Sequence, residues 1–274
     1  MDQTEDACWT YRSCKRVMTT AHGGEWNLTF PYDSLPAFEK AYENGADAVK
    51  GDFRVSKDNI GVVMHSSPVE IWESLNCYGK QVEEMTAEEC TSCQMEITHY
   101  HFITVPYMLS WAENKVNVML CVKESTDIPR AITTLIENDA THRAFLEVHV
   151  NDFLALETNG TPQWDQVYYV VECNTHDDIV RLINASDEIK KRGFLVEFND
   201  WKEWPTSTLQ DDIALAESAG FRSFAATNDN AWRATVDDHL HLYKQGFDVA
   251  YTYNLTNAVT ARREVNLIHG VVPP

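Results

Sequence analysis

The sequence predicts a single α/β domain of the (β/α)8 TIM barrel class. Short apolar runs alternate with amphipathic stretches at about 25-residue spacing, the rhythm of parallel β/α units. Residues of catalytic type stand at the C-terminal ends of those runs, where such barrels carry their reactive groups. A length of 274 residues accommodates eight units, since barrels of this class typically need about 250.

Residues 1–14 are polar, contain Cys8 and Cys14, and are expected to form an N-terminal extension to a barrel spanning 15–274. A first strand over Val17–Ala21 ends in His22. A helix is predicted from Ser34 to Asn44, with Ser34 as N-cap, Leu35, Phe38 and Tyr42 as its apolar positions and Gly45 as its stop. The second strand carries Lys50 and Asp52, and a third short strand, Val62–His65, is an appendage beside it. Residues 66–100 are irregular, and so long a loop beside reactive side chains is usually functional. A helix then starts near Val105, and Lys115–Lys123 forms a strand. Further strands are predicted at Phe145–Val150, Val167–Cys173, Phe194–Phe198, Ser223–Thr227 and Asp248–Tyr253, with helices at Ile128–Glu137, Ile179–Lys191, Leu209–Ala219 and Val236–Lys244. Without the appendage the strands number eight.

Hydrophobic residues make up 44% of the chain, with 8 Trp, 11 Tyr and 11 Phe, ample for a core. The formal charge of −20 excludes nucleic acid or an anionic membrane surface as the main partner, because both repel it. It leaves open a small anion, which feels the local field of its pocket. No apolar run reaches the roughly 18 residues of a membrane span. Of seven cysteines, Cys8, Cys14, Cys77, Cys90 and Cys93 fall in segments of loop character, a placement that favours disulfides and an extracellular or secretory setting. Cys77 with either Cys90 or Cys93 is placed to staple the long loop. Cys90-x-x-Cys93 has no second pair at zinc-finger spacing, while Cys121 and Cys173 lie in apolar runs and are expected in the core. Sequons at Asn27, Asn159, Asn184 and Asn254 are compatible with secretion. The N-terminus MDQTEDACWTYRSCKRV lacks an apolar signal core, so a secreted protein of this sequence has already lost its signal.

Two histidines and a Lys-x-Asp pair at strand ends suit phosphodiester chemistry. One imidazole deprotonates the attacking hydroxyl, the other protonates the leaving oxygen, and fixed charge faces the phosphoryl group. His22, His65, Lys50 and Asp52 are the candidate catalytic residues.

The pieces Ala21-His22-Gly23-Gly24, Tyr32-Asp33-Ser34-Leu35-Pro36-Ala37-Phe38, Gly45-Ala46-Asp47-Ala48-Val49-Lys50-Gly51-Asp52, Ser56-Lys57-Asp58 and Val62-Val63-Met64-His65 together resemble the N-terminal signature of the glycerophosphodiester phosphodiesterase family, AHRG, ENTLxAF and GADxxExDVxxTKDxxxVxxHD. Phe224-Ala225-Ala226-Thr227-Asn228 and Gly246-Phe247-Asp248-Val249-Ala250-Tyr251-Thr252 resemble its C-terminal segments, so the resemblance covers about residues 15 to 265. It implies the same barrel and cleavage of a glycerophosphodiester or lysophospholipid-type P–O bond. It also implies a Ca²⁺ or Mg²⁺ ion held by four carboxylates. The matching positions here are Tyr32, Lys50, Asp52 and Cys121, so three of the four carboxylates are replaced. Lys123 matches the family's lysine, and with Tyr32 is expected to bind substrate; Gly23 stands where the family carries a phosphate-binding arginine.

Three readings follow. In the first, no cofactor is needed and the Lys50 ammonium takes the ion's electrostatic role. In the second, Mg²⁺ or Ca²⁺ is kept by replacement ligands, Asp52 with Glu147 and, on the neighbouring strands, Glu172 or Glu197. In the third, the barrel is non-catalytic and binds a phosphate-bearing or other anionic ligand. Trp26, Phe30, Tyr32, Trp201, Trp204, Trp232, Tyr251 and Tyr253 are placed near strand ends to line a pocket for an apolar or sugar-like substituent, or to pack helices on the barrel.

Overall fold

The computed structural model describes Trp9 and residues 14–95, 98–205, 208–227 and 233–271. The strands are β1 (Met18–His22), β2 (Ala48–Val55), β3 (Gly61–Val63), β4 (Asn117–Val122), β5 (Ala144–His149), β6 (Tyr168–Cys173), β7 (Gly193–Phe198), β8 (Arg222–Ala226) and β9 (Val249–Thr252). They are ordered β1-β9-β8-β7-β6-β5-β4-β2-β3, and β1 also pairs with β2. Eight strands therefore close into a parallel barrel surrounded by helices, as the spacing predicts. β3 pairs antiparallel with β2 and lies outside the ring.

The helices are α1 (Leu35–Glu43), α2 (Ala87–Ser92), α3 (Val105–Ala112), α4 (Ile128–Glu137), α5 (Val150–Thr158), α6 (His176–Ile183), α7 (Asp187–Lys190), α8 (Leu209–Ser218), α9 (Val236–Lys244) and α10 (Leu255–Ile268). The chain divides into two compact units, Ala21–Leu146 with Pro162–Val167, and Met1–Thr20 with Glu147–Thr161 and Tyr168–Pro274.

In the first unit, Ser34 caps α1 by accepting the Ala37 N–H at 3.3 Å, and the helix buries Ala37, Phe38 and Ala41. Gly51 presents β2 to these helices without a side chain; a Cβ there would lie 3.2 Å from Met108 of α3 and 3.3 Å from Phe38 of α1. That close approach leaves the alternate residues Lys50 and Asp52 for the other face of the strand. β2 and β4 run parallel with Asp52 opposite Cys121, which delivers Lys123, one residue past β4, beside the same carboxylate. The segment after β3 is ordered around an apolar cluster that includes Val62, Met64, Val69, Cys77, Met85, Cys90, Cys93, Met95 and Phe102. A capping box begins α2, with the Glu89 N–H donating to the Thr86 hydroxyl and the Glu89 carboxylate accepting the Thr86 N–H. A disulfide joins Cys77 to Cys93, and Cys90 is a buried free thiol on α2.

In the second unit, Asn266 of α10 acts as a backbone mimic, accepting the Val17 N–H at 2.9 Å and donating to the Val17 carbonyl at 3.1 Å. Arg222, buried at the start of β8, pairs with Asp248 at 3.3 Å and donates to the Arg16 carbonyl at 2.6 Å.

Several boundaries differ from expectation. β3 ends at Val63, so His65 stands in a bend; the N–H groups of His65 and Ser66 are taken by the Glu73 carboxylate rather than by a ladder. The predicted helix Ile179–Lys191 starts earlier and is two helices. A Thr175/Asp178 capping box begins α6, Asn184 ends it, and Ser186 caps α7 by accepting the Ile189 N–H at 3.3 Å. α5 and α10 were not legible from the pattern; α5 begins where β5 ends, its first turn capped by His149, whose Nδ1 accepts the Asn151 N–H at 3.2 Å. Cys173 is buried as expected, whereas Cys121 is only half-buried. The expected extension, apart from Trp9 and Cys14, and the positions Asn228 and Trp232 lie outside the described residues.

Candidate active site

Two consecutive glycines turn the chain out of β1, with φ of +65° at Gly23 and +83° at Gly24, a region that costs other residues strain. The Gly23 N–H donates to the Lys50 carbonyl at 2.9 Å, and its carbonyl accepts the Asp33 N–H at 3.0 Å. This double tie brings the 25–34 loop back over β2. A Cβ on Gly23 would meet the Tyr32 ring at 2.1 Å, so the tyrosine occupies the space that a side chain at 23 would require.

Asp52 is fully buried. Its Oδ2 accepts the Tyr32 hydroxyl at 3.0 Å, and its Oδ1 pairs with the Lys123 ammonium at 2.8 Å. Its N–H donates to Asp33 Oδ2 at 3.2 Å. Burial opposes ionisation of Asp52, yet Lys123, His65 and Lys50 outweigh it and hold the carboxyl below the usual carboxylate range. Asp33 has the opposite fate: burial and the adjacent Asp52 charge push it well above that range. For Lys123, burial works against the charge, but neighbouring Cys121 and Asp52 raise its pKa and keep it an ammonium.

Both histidines face the Tyr32 ring edge-on, His22 at 5.3 Å and His65 at 6.1 Å between centroids. Trp72 completes the group, 5.5 Å from His65 and 6.0 Å from Tyr32. His65 is oriented by its carbonyl accepting Arg54 Nε–H at 2.9 Å and by its Nδ1 lying 2.9 Å from the Ser66 hydroxyl. Glu73 fixes the bend around it, its carboxylate accepting the N–H groups of His65, Ser66 and Glu70 at 3.1 Å each. His22 is held well below the usual imidazole range by burial first, then by Lys50, Lys123 and His65. His65 is also lowered by burial, with Asp52 and Glu73 partly offsetting the effect of Lys123. Lys50 is buried in β2, close enough to lower the pKa of both His22 and Asp52.

The sequence-derived set His22, Lys50, Asp52, His65, Lys123 and Tyr32 therefore converges in one unit. Asp33, Trp72 and Glu73 were missed. An Asp ahead of the Ser34 cap, at φ +61°, is the sort of residue that tolerates a left-handed turn, a signal that could have singled out Asp33. Trp72 and Glu73 carry no such local mark.

The donor set does not fit a hard divalent cation. Asp52 already shares both oxygens with a hydroxyl and an ammonium, Tyr32 and Cys121 replace oxygen anions, and Lys50 adds positive charge, whereas Mg²⁺ and Ca²⁺ require several oxygen ligands. Among the described residues no three His, Cys, Asp or Glu side chains are grouped to hold a metal ion. In the other unit, Glu147 on β5 and Glu197 on β7 are buried. Glu172 on β6 accepts the Asn199 amide at 2.9 Å. Trp201, Tyr251, Tyr253 and Glu197 help line a pocket of about 220 Å³, while Trp204 is a packing residue, its indole N–H donating to Asp212 at 2.7 Å.

No curated protein matches the chain. Among solved structures, the fold is similar to a glycerophosphoryl diester phosphodiesterase from Parabacteroides distasonis, at 16% identity and a TM-score of 0.75 over 98% of this chain and 92% of that one. It is also similar to an Oleispira antarctica phosphodiesterase in complex with the product sn-glycerol-3-phosphate, at 14% identity and a TM-score of 0.70 over 90% and 96%. A third likeness is to a glycerophosphodiester phosphodiesterase from Thermotoga maritima, at 16% identity and a TM-score of 0.67 over 90% and 99%. The profile of the glycerophosphoryl diester phosphodiesterase family matches residues 26–267, most of the chain, which therefore belongs to this family.

Proposed function

We propose that the chain is a phosphodiesterase that cleaves a glycerophosphodiester or lysophospholipid-type P–O bond by two-histidine acid/base catalysis, with lysine ammonium groups in place of a metal ion. The observation that carries the reading is the pair of imidazoles flanking one tyrosine ring beside the Lys123–Asp52 ion pair. His22, whose pKa lies well below the ordinary value, is unprotonated at neutral pH and accepts the proton of the attacking hydroxyl. The hydroxyl oxygen bonds to phosphorus, the P–O bond to the leaving alcohol breaks, and His65 delivers its proton to the departing oxygen. Burial lowers His65 as well, but Asp52 and Glu73 oppose that shift and His65 is lowered less far than His22, which assigns it the acid role of the two. The attacking hydroxyl comes from water or from a neighbouring position on the substrate, the latter yielding a cyclic phosphate.

Lys50 and Lys123 stabilise the charge on the phosphoryl oxygens, and Asp52 holds Lys123 in place. Tyr32 anchors Asp52 and forms a wall of the substrate site. The sn-glycerol-3-phosphate held by the Oleispira antarctica relative supports a small glycerol phosphodiester as ligand. An extracellular or secretory setting belongs to the same reading, and the Cys77–Cys93 disulfide supports it.

The test is turnover of a panel of glycerophosphodiesters and lysophospholipids with and without chelator, with phosphorus NMR of the products. Turnover that survives the chelator and is abolished in His22→Ala supports the lysine mechanism. Chelator-sensitive turnover shows that replacement ligands hold a metal, and saturable ligand binding without turnover shows a non-catalytic barrel.

A further inference from the structure

Residues 71–78 expose four large apolar side chains within one turn-rich stretch: Ile71 is 59% accessible, Trp72 41%, Leu75 56% and Tyr78 64%. Isolated surface apolar residues are ordinary, but a concentration of this kind marks an interaction site. The stretch is built rigidly. Cys77 ties it to Cys93, Ser74 donates to the Gln94 carbonyl at 2.7 Å, and the buried Glu73 carboxylate collects three backbone N–H groups around its base. Exposed apolar side chains held on a rigid frame are not a folding defect.

Charge selects the kind of surface they meet. The chain carries −20 overall, which repels anionic lipid. Within 67–80 the charged residues are Glu70, Glu73 and Lys80; Glu73 is buried and occupied, leaving Glu70 and Lys80, which are exposed and cancel. An uncharged, apolar stretch on an acidic protein is complementary to a surface without net charge. The mixture of Trp and Tyr with Ile and Leu suits the boundary between lipid headgroups and acyl chains. Position selects lipid over a protein partner, because Trp72 lies 5.5 Å from His65 and 6.0 Å from Tyr32. A protein docked here would sit against the candidate catalytic imidazole, whereas a lipid whose phosphate reaches that imidazole would lay its apolar chain on the adjoining patch.

We infer that residues 71–78 form a docking surface for a zwitterionic lipid aggregate, through which a phosphodiester lipid enters the site beside His65. The substrate assignment rests on the reading of the site as a phosphodiesterase; the docking surface does not.

The experiment is cosedimentation of the full chain with phosphatidylcholine vesicles and with vesicles containing phosphatidylserine, for the native protein and for Ile71→Glu/Leu75→Glu, paired with turnover of a water-soluble glycerophosphodiester and of a micellar lysophospholipid. The expected result is binding to phosphatidylcholine alone, weakened by added phosphatidylserine, and lost at least tenfold in the double variant. Micellar turnover falls with it, and soluble turnover is unchanged. No binding to phosphatidylcholine, binding that requires phosphatidylserine, or equal binding by the variant overturns the inference. If neither substrate turns over while vesicle binding follows the expected pattern, the phosphodiesterase reading fails and the docking surface stands. Unchanged soluble turnover also shows that the variant is folded, and circular dichroism with thermal melting makes the same check if turnover is absent.

Discussion

Gly23 and Tyr32 form a matched pair: a Cβ at residue 23 would lie 2.1 Å from the tyrosine ring. The resemblance to the family places a phosphate-binding arginine at the first position and a metal-binding glutamate at the second. The two departures are thus coupled in space, one making room for the other. Tyr32 then donates to the carboxylate that an ion would otherwise share, at 3.0 Å.

Gly23→Ala is expected to destabilise the fold by about 2 kcal/mol or more, from the left-handed φ of +65° and the ring contact. Tyr32→Ala in the same chain relieves the contact but not the φ strain. A double-mutant cycle by urea denaturation should therefore give the pair a coupling energy of about 0.5–3 kcal/mol; strictly additive effects would mean that the two side chains do not compete for that space.

Lys123→Met leaves the buried Asp52 carboxylate without its ammonium, 2.8 Å away in the native protein. The cost near pH 7 is expected to be about 3–5 kcal/mol. The sign with pH is fixed by the carboxyl. In the native protein Asp52 is held below the usual range, so its contribution is present at neutral pH and lost as acid protonates it. In the variant burial raises it, the folded state then binds the extra proton, and the deficit shrinks between pH 7 and pH 5. A deficit that grows over that interval contradicts the assignment.

With His22 held well below the imidazole range and His65 lowered less far, kcat/KM requires unprotonated His22 and protonated His65. The bell is therefore expected on the acid side of pH 6.5, with rate falling as pH rises above it. His65→Ala should reduce turnover by at least a hundredfold and remove the alkaline limb. An optimum above pH 8 would reverse the roles or discard them.

Dialysis against EDTA followed by Ca²⁺ or Mg²⁺ should leave both kcat/KM and the melting temperature unchanged, because Tyr32, Lys50 and Cys121 supply no oxygen anion to a hard cation. A rise in melting temperature with either ion would place a site that the donor chemistry does not account for.

Cys77→Ala/Cys93→Ala removes a cross-link closing 16 residues of sequence separation and is expected to cost about 3 kcal/mol. Cys90 lies buried in the same apolar cluster, and its thiol is pushed up to about 11, chiefly by burial. In the folded native protein it should resist alkylation at pH 8 and become reactive only on denaturation, a difference read by mass spectrometry.

The barrel and the main site were legible in the sequence because both depend on local order. Short apolar runs and helical faces mark elements without reference to partners. Strand ends deliver His22, Asp52 and Lys123 wherever parallel β/α units close into a ring. Elements that start by capping rather than by apolar periodicity were lost or misplaced, as with α5 behind its His149 cap and the break between α6 and α7 at Asn184 and Ser186.

By itself, then, the amino-acid sequence determined eight strands, their spacing and the cast of charged and aromatic side chains at their ends, all properties of neighbours along the chain. Only the tertiary structure decided that Lys123 pairs with Asp52, that burial beside Asp52 raises the Asp33 carboxyl, that Glu73 ties down the bend at His65 and that Cys93 rather than Cys90 bonds to Cys77. The physical reason is common to all four. Each depends on which groups share a buried space, and a carboxylate or thiol carries no mark in sequence of the partner that folding will bring to it.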